Sequence, residues 1–273
     1  MLTGSIVVYN NNLLKLRKSI ESFLGDREHH KLFLIDNSPT DYFRNLFSSS
    51  DDRIIYIHNG ENIGFGAGHN IAISKASQLN SNYHVILNPD VFFDTNVLDN
   101  LINFMQSNKD IGLVMPKVLY PDGSLQYLCK LLPRPVDLFL RFFFVNTRML
   151  NKNNEVFELQ KSGYNRIMNV PYLSGCFMFC RKNILNEIHG FDERFFMYFE
   201  DVDISRRINS ISRTVYYPDV QIFHHHEKGS FKNFKLLKIH IKSAIKYFNK
   251  WGWFFDSERR KINKKTLNSQ TFK

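Results

Sequence analysis

An α/β fold built on a doubly wound, mostly parallel sheet is the expected architecture. Short β-branched or apolar runs alternate with helix-like stretches through the first 120 residues, the pattern of strands joined by crossover helices. Polar residues gather directly after the strand-like runs, where such sheets bind ligands. Of 273 residues, 43% are hydrophobic and 15% aromatic, enough apolar surface for one large α/β domain with an appendage.

Taken in order, SIVVY (Ser5 to Tyr9) reads as the first strand and Leu13 to Leu24 as the helix after it. Lys31 to Asp36 gives a second strand, Tyr42 to Phe47 a short helix and Arg53 to His58 a third strand. Asn70 to Leu79, Tyr83 to Asn88, Val97 to Met105 and Gly112 to Val118 continue as helix, strand, helix and strand. Three strand ends carry polar groups: Asp36-Asn37, Asn59 to Asn70, and Asn88-Pro89-Asp90. All three are expected on one rim of the sheet. Pro121 to Asn169 is irregular, with Pro133 and Pro135 framing a turn, and reads as an excursion or lid. Tyr172 to Phe179 is then expected as one strand whose Gly175 marks a bulge or a point where a ligand approaches the backbone. A helix near Asn183 to Ile188 follows, and Val220 to Phe223 reads as the last strand.

Charge is concentrated at one end. From Lys228 to Lys273 there are 13 Lys+Arg against 2 Asp+Glu, which leaves residues 1–227 nearly neutral. Cys129, Cys176 and Cys180 form no CxxC pair, so neither a disulfide framework nor a zinc knuckle is indicated and a reducing cytosol is expected. No basic leader with a cleavage site opens the chain. The apolar run Phe139 to Val145 is broken by Arg141 and too short to span a bilayer.

Chemistry is expected first in GFDERFFMYFEDVDISRR, residues 190–207, where Asp192, Glu193, Glu200, Asp201 and Asp203 surround a Phe-Phe-Met-Tyr-Phe run. Aromatic bulk excludes water and raises a carboxylate's pKa toward that of a usable general base. The plainer alternative makes Asp201 or Asp203 the N-cap of the following helix. Asn62 to Asn70 (NIGFGAGHN) is a glycine-rich loop before a helix, either a cradle for a pyrophosphate or an ordinary tight turn. Its GxGxG spacing after the third strand disfavours a dinucleotide fold. Pro89 ends the fourth strand, leaving Asp90 as a hard oxygen ligand for Mg2+ or Mn2+, or as a turn residue. In His224-His225-His226, strand periodicity puts His224 on the face of Val220 and Ile222. It is either a second metal ligand or part of a solvated loop.

Together these segments resemble family 2 glycosyltransferases of the GT-A fold, in the rhamnosyltransferase-like branch that builds O-antigen and other surface polysaccharides. The resemblance runs in order through SIVVYNNN, LFLIDNS, NIGFGAGHN, VILNPDV, LSGCFMFCRK, GFDERFFMYFEDVDISRR and a histidine-bearing strand. It implies that Asp36 contacts the base or ribose of a nucleotide-sugar donor, with Tyr9 and Asn10 lining the pocket and Asn62, Gly64 and Asn70 shaping it. Asp90 matches the last acid of the family's DxD metal motif, Asn88 standing where the first acid often lies, so the metal is held by fewer charges. Asp201 matches the base that deprotonates the acceptor hydroxyl, with Glu200 orienting it or touching the acceptor. Ser174 and Gly175 fall on the acceptor side. Arg207 steadies the diphosphate or the helix itself. His224, or failing it His226, is the metal-side histidine. An inverting transfer is implied, with dTDP-rhamnose the favoured donor, UDP- and GDP-sugars open, and a lipid-linked or glycan acceptor.

Residues 1–227 are thus expected as the catalytic unit and 228–273 as a basic helical extension. In the extension Phe234, Leu237, Ile241, Ala244, Ile245, Phe248 and Trp251 recur at helical spacing beside a lysine stripe. Trp251, Trp253, Phe254 and Phe255, followed by a basic cluster, suit peripheral attachment to the inner face of the cytoplasmic membrane. The competing reading is a helix packed on its own domain. Lysines interleaved with aromatics also suit single-stranded nucleic acid, but the near-neutral body argues against that partner. A nucleotidyltransferase is the nearest enzymatic rival and would release pyrophosphate.

Overall fold

A computed structural model describes residues 1–47, 51–143, 147–226 and 234–270. The expected boundary at 227/228 lies outside the described residues, as does the end of the apolar run through Val145.

The first half alternates as expected: β1 (Thr3–Val8), α1 (Leu13–Leu24), β2 (Lys31–Asp36), α2 (Arg44–Phe47), β3 (Ile54–His58), α3 (Phe65–Ser77) and β4 (Tyr83–Leu87). Next come β5 (Val91–Phe92), α4 (Asn96–Ser107), β6 (Ile111–Leu119) and β7 (Cys129–Lys130). The excursion holds α5 (Pro135–Phe143), α6 (Arg148–Phe157), a 3₁₀ turn and β8 (Met168–Asn169). The chain then gives β9 (Tyr172–Leu173), β10 (Phe177–Arg181), α7 (Lys182–Glu187), α8 (Glu200–Ile211), β11 (Arg213–His224), α9 (Phe234–Trp251) and α10 (Ser257–Gln270).

Local chemistry explains the first crossover. Asn12 caps α1 by accepting from the Leu14 and Lys15 amides, and Gly25 ends it at φ 43. Between these caps Leu16, Ile20, Phe23 and Leu24 bury one face. The sheet runs β3-β2-β1-β4-β10-β6-β11-β5, with β8 also on β11. Its first four strands are parallel, as are β6 and β11, whereas β10 lies antiparallel between β4 and β6.

That inserted strand corrects one expectation. Tyr172 to Phe179 is not one strand: β9 pairs with β7 in a separate two-stranded sheet, and only β10 joins the main sheet. Ser174, Gly175 and Cys176 are the step between the two sheets. A second correction concerns α3, which begins at Phe65 and carries two glycines of the loop inside its first turns.

Helix α9 packs on the body. Ala244, Tyr247 and Phe248 form one apolar cluster with Leu132, Phe195, Phe199 and Val202. Of the expected apolar stripe Ala244 and Phe248 are buried and Trp251 packs against them, whereas Phe234, Ile241 and Ile245 stay exposed. Polar contacts fix the same docking. Lys250 bridges Asp192 at 2.7 Å and Asp203 at 2.6 Å, and the Trp251 indole donates to Asp203. Arg206 of α8 is 2% exposed and binds Asp256 through both terminal nitrogens at 2.7 and 2.9 Å. Its guanidinium also lies 4.1 Å over the Trp251 ring.

Removing Asp256 would leave the buried Arg206 with only the half-exposed Glu258 as counter-charge and the Arg259 amide without its acceptor. Asp256→Ala is therefore expected to lower the unfolding free energy by about 3 kcal/mol, measured by denaturant unfolding. A variant that unfolds together with the native chain would show that the pair does not hold the C-terminal helices.

Candidate functional site

The five carboxylates of the 190–207 motif divide by their partners. Asp192 binds Arg194 and Lys250, which hold it well below the usual carboxylate range. Glu193 accepts from the Asn70 amide. Asp203 is fully buried between Arg207, Lys250 and Trp251. Among the described residues Glu200 and Asp201 form no ion pair.

Neither Asp201 nor Asp203 is the N-cap. Phe199 holds that position, and Tyr198 and Phe199 both take left-handed backbone at φ 68. Bulky residues there are strained, at about 1–3 kcal/mol each. Tyr198 is held by stacking on His240 with ring centroids 4.6 Å apart, and Phe199 by burial against Tyr247 and Phe248. The turn thereby presents Glu200 and Asp201 as the first residues of α8.

Asp201 accepts from the Gly175 amide at 3.2 Å and the Tyr172 hydroxyl at 3.3 Å through Oδ2, and from the Val202 amide at 2.9 Å through Oδ1. Burial nevertheless raises its pKa above the ordinary aspartate value, against the pull of these donors and of Lys130. Glu200 is pushed up further, by burial and then by the charge of Asp201, and its Oε2 has no hydrogen-bond partner.

The second acid group lies at the end of β4. Asp90 Oδ1 is 3.4 Å from His224 Nε2, and the Asn88 amide is 3.5 Å from the same nitrogen. Gln126 donates from its amide nitrogen to the His224 carbonyl, so its Oε1 accepts the Nδ1 proton at 3.0 Å. That leaves Nε2 facing Asp90, the arrangement in which a second partner orients a ligating imidazole. Burial opposes the charged ring, but Cys176 and Asp90 outweigh it and push His224 up to about 10. A cation binding here displaces that proton. His226 is exposed, its ring 5.3 Å from that of His224. Among the described residues no group of three or more His, Cys, Asp and Glu could hold a metal. The fit is thus a two-ligand site, a carboxylate and an imidazole, which leaves coordination for water and substrate oxygens.

One loop joins the two groups. The Gly175 amide holds Asp201, and the next residue, Cys176, gives its carbonyl to the Asn88 amide at 2.9 Å. A Cβ on Gly175 would lie 3.2 Å from that of Asp201, so the approach leaves little room for a side chain. Gly175 is not inside a strand, and the group that approaches its backbone is the protein's own Asp201. Ser174 is partly buried and accepts from the Cys176 amide.

Other expected donor-site residues are placed differently. Asp36, expected to touch base or ribose, is fully buried and accepts from the Ser38 amide and the Tyr56 hydroxyl. The glycine loop does not present a phosphate cradle. A Cβ on Gly64 would sit 2.4 Å from the Phe196 carbonyl, on Gly66 2.9 Å from Phe191, and on Gly68 2.8 Å from Val7. The Phe65 amide at the start of α3 is itself taken by that Phe196 carbonyl. Asn62 caps Gly64, while Asn70 exchanges hydrogen bonds with the Phe191 backbone. These residues lock the glycine loop to the 190–207 motif. Arg207 binds Asp203 and the Ile188 carbonyl, so it steadies the helix and not a diphosphate. Tyr9 and Asn10 remain on the rim, both exposed, with Asn10 left-handed and its amide on Ser38.

Sequence reasoning missed Tyr172, Lys130, Gln126 and Cys176. The pairing of Lys130 with Tyr172 across β7 and β9 brings both to Asp201. Gln126 and Lys130 fall in the stretch that reads as irregular, where nothing local announces a partner.

Comparison with known proteins places this geometry. Residues 5–188 match the description "Glycosyl transferase family 2". Rhamnosyltransferase WbbL of Escherichia coli is 26% identical over 253 residues, 89% of this chain and 90% of that protein. The N-acetylglucosaminyl-diphospho-decaprenol L-rhamnosyltransferase of Mycobacterium tuberculosis is 24% identical over 71% of this chain and 66% of its own length. GalNAc-T7 in complex with UDP, GalNAc and Mn2+ superposes with a TM-score of 0.62 at 14% identity, over 84% of this chain and 44% of that one. A fragment of TarS from S. aureus superposes with a TM-score of 0.58 at 12% identity, over 98% of this chain and 70% of that one. These likenesses support the GT-A fold.

A hydrogen bond to the ionised form holds a carboxyl's pKa down, so losing it raises the pKa. Tyr172→Phe is therefore expected to move the titration of Asp201 to still higher pH, read from the pH dependence of its carboxyl carbon by NMR. An unmoved titration would show that the phenol does not support the carboxylate.

Proposed function

The chain belongs to glycosyl transferase family 2, and from that premise we propose that it transfers a sugar, with L-rhamnose from dTDP-rhamnose the best candidate, to a hydroxyl of a lipid-linked acceptor in surface-glycan synthesis. The carrying observation is the shared loop: Asp201 and Asn88, two residues from Asp90, are bound to the adjacent residues Gly175 and Cys176. A base and a leaving-group site on one short segment suit a single displacement. The candidate sugar and acceptor are supported by the relatives' names, two of which specify rhamnosyl transfer and one a diphospho-decaprenol carrier; the dTDP nucleotide follows from the family resemblance alone.

On this reading Asp201 removes the acceptor proton as the hydroxyl oxygen attacks the anomeric carbon, which inverts its configuration. The raised pKa of Asp201 suits a base working near neutrality, and its three donors stabilise the charge it carries between turnovers. Tyr172 and the Gly175 amide keep Oδ2 in place. Asp90 and His224 would hold Mg2+ or Mn2+, which when bound neutralises charge building on the departing nucleoside diphosphate. Gln126 fixes the His224 ring for that task.

The division at residue 227 is functional in this reading. Residues 1–227 carry the donor and catalytic groups, while 228–273 support the motif and meet the inner face of the membrane. Among the described residues no helix is long and apolar enough to cross a bilayer. Phe254 and Phe255 are 69% and 94% exposed beside Arg260 and Lys261, a pairing suited to an anionic interface.

Asp201→Asn is expected to lower kcat by ~10²-fold or more with donor affinity retained, the loss typical of removing a general base. Normal turnover in that variant would remove Asp201 from the role. In a thermal-shift screen of nucleotide sugars, the matching donor should raise Tm by mass action, with a further rise in Mn2+. Asp90→Asn should abolish the Mn2+ increment alone; an increment that survives would place the metal elsewhere.

A further inference from the structure

Near Asp201 stands a lysine that, among the described residues, is held in no ion pair. Lys130 of β7 is paired with Tyr172 of β9, and its Nζ lies 5.6 Å from the centre of the Tyr172 ring. It is partly buried. It feels the charges of Glu158 and Asp201 but forms an ion pair with neither, and Glu158 is already bound to Arg141 at 3.3 Å. Withdrawing an ammonium from water without a counter-ion is costly. Burial and the charge of Arg141 accordingly depress the Lys130 pKa. An anion arriving with a ligand would remove that cost.

The chain leaves Lys130 directly into an apolar groove. Leu131 and Leu132 line an open cavity of about 510 Å³ whose other walls include Val136, Val156, Phe254 and Leu267. These last four are 37–69% exposed. Asn263 of α10 clamps the Leu132 backbone through both amide atoms, which fixes this wall to the C-terminal helix. Arg260 and Lys264, both exposed, stand among the lining residues. A volume of this size suits a small apolar ligand. Its basic rim complements an anionic one.

We infer that the acceptor is an amphiphile bound along this path: its sugar hydroxyl at Asp201, its phosphates on Lys130, and its prenyl or alkyl chain in the groove between α5, α6 and α10. The inference rests on the glycosyltransfer reading and adds to it the residues that take the carrier. It separates two phosphate sites, with the leaving nucleoside diphosphate at Asp90 and His224 and the carrier phosphate at Lys130.

Calorimetric binding to the full chain in EDTA tests it, because chelation prevents phosphates from being held through a metal at Asp90. Farnesyl diphosphate, inorganic pyrophosphate and farnesol are the probes. Farnesyl diphosphate should bind at least about tenfold tighter than either of the others, since only it uses both parts of the path. Lys130→Met should weaken farnesyl diphosphate about tenfold, the size of one charged hydrogen bond, and leave farnesol unchanged. Val156→Glu, at an exposed wall, should weaken both farnesyl ligands and spare pyrophosphate. Pyrophosphate binding as tightly as farnesyl diphosphate, or unchanged binding to Lys130→Met, would overturn the inference. Nucleoside diphosphate release from a sugar nucleotide, followed separately on the unmodified chain, tests the transferase reading independently of these outcomes.

Discussion

The hydrogen bond from the Gly175 amide to Asp201 is the constraint on which the cleft depends. It can form only because the chain breaks between β9 and β10, so that Ser174 to Cys176 step from the small sheet to the main one. The same break turns the Cys176 carbonyl onto the Asn88 amide, at the end of β4. Asp201 from the end of the motif and Asp90 from the middle of the sheet are thereby referred to one rigid segment. An uninterrupted strand through residues 172–179 would have paired both groups into the ladder and held neither acid.

The same logic explains why the C-terminal helices belong to the site and are not a detachable tail. Tyr198 and Phe199 adopt a backbone that aromatic side chains rarely tolerate, and the contacts that compensate it come from His240, Tyr247 and Phe248 of α9. Lys250 and Trp251 then neutralise and bury Asp203, one turn into α8. Cutting the chain before α9 would release this turn along with any membrane-facing surface, so a truncated chain cannot isolate the two roles. The exposed apolar residues that remain after docking, Phe234, Ile241, Ile245, Phe254 and Phe255, are the ones left to meet a surface.

Much of this was legible in the sequence because it is carried by local pattern. Alternation gave the parallel strands, the aromatic-flanked run marked out five acids, and the family resemblance pointed to Glu200, Asp201 and His224 among the candidates. What escaped was set by residues distant in the chain. Glycines 64, 66 and 68 look like a phosphate loop from their spacing, yet each is small because Phe196, Phe191 or Val7 presses on it. Asp36 looks like a ligand contact at a strand end, yet Tyr56 and the Ser38 amide consume its oxygens. A buried chain of Thr3, His84, Ser5 and His69 runs through the sheet with both imidazoles driven neutral by burial, and nothing in a strand's alternation signals it. Lys130 and Gln126 sit in a stretch without period, and only tertiary pairing shows what they reach.

Electrostatics then assigns different work to the two adjacent acids. Burial and then the charge of Asp201 raise the Glu200 pKa, so the two neighbours do not ionise alike. Asp201 has three hydrogen-bond donors and Lys130 nearby, all favouring its anion, whereas Glu200 has burial against it, a neighbouring negative charge, and one oxygen with no partner. These environments favour a proton on Glu200 over one on Asp201. On the proposed reading the pair divides as environments divide other paired carboxyls: Asp201 takes the acceptor proton, while the neutral Glu200 can donate a hydrogen bond to a substrate oxygen without competing for the charge.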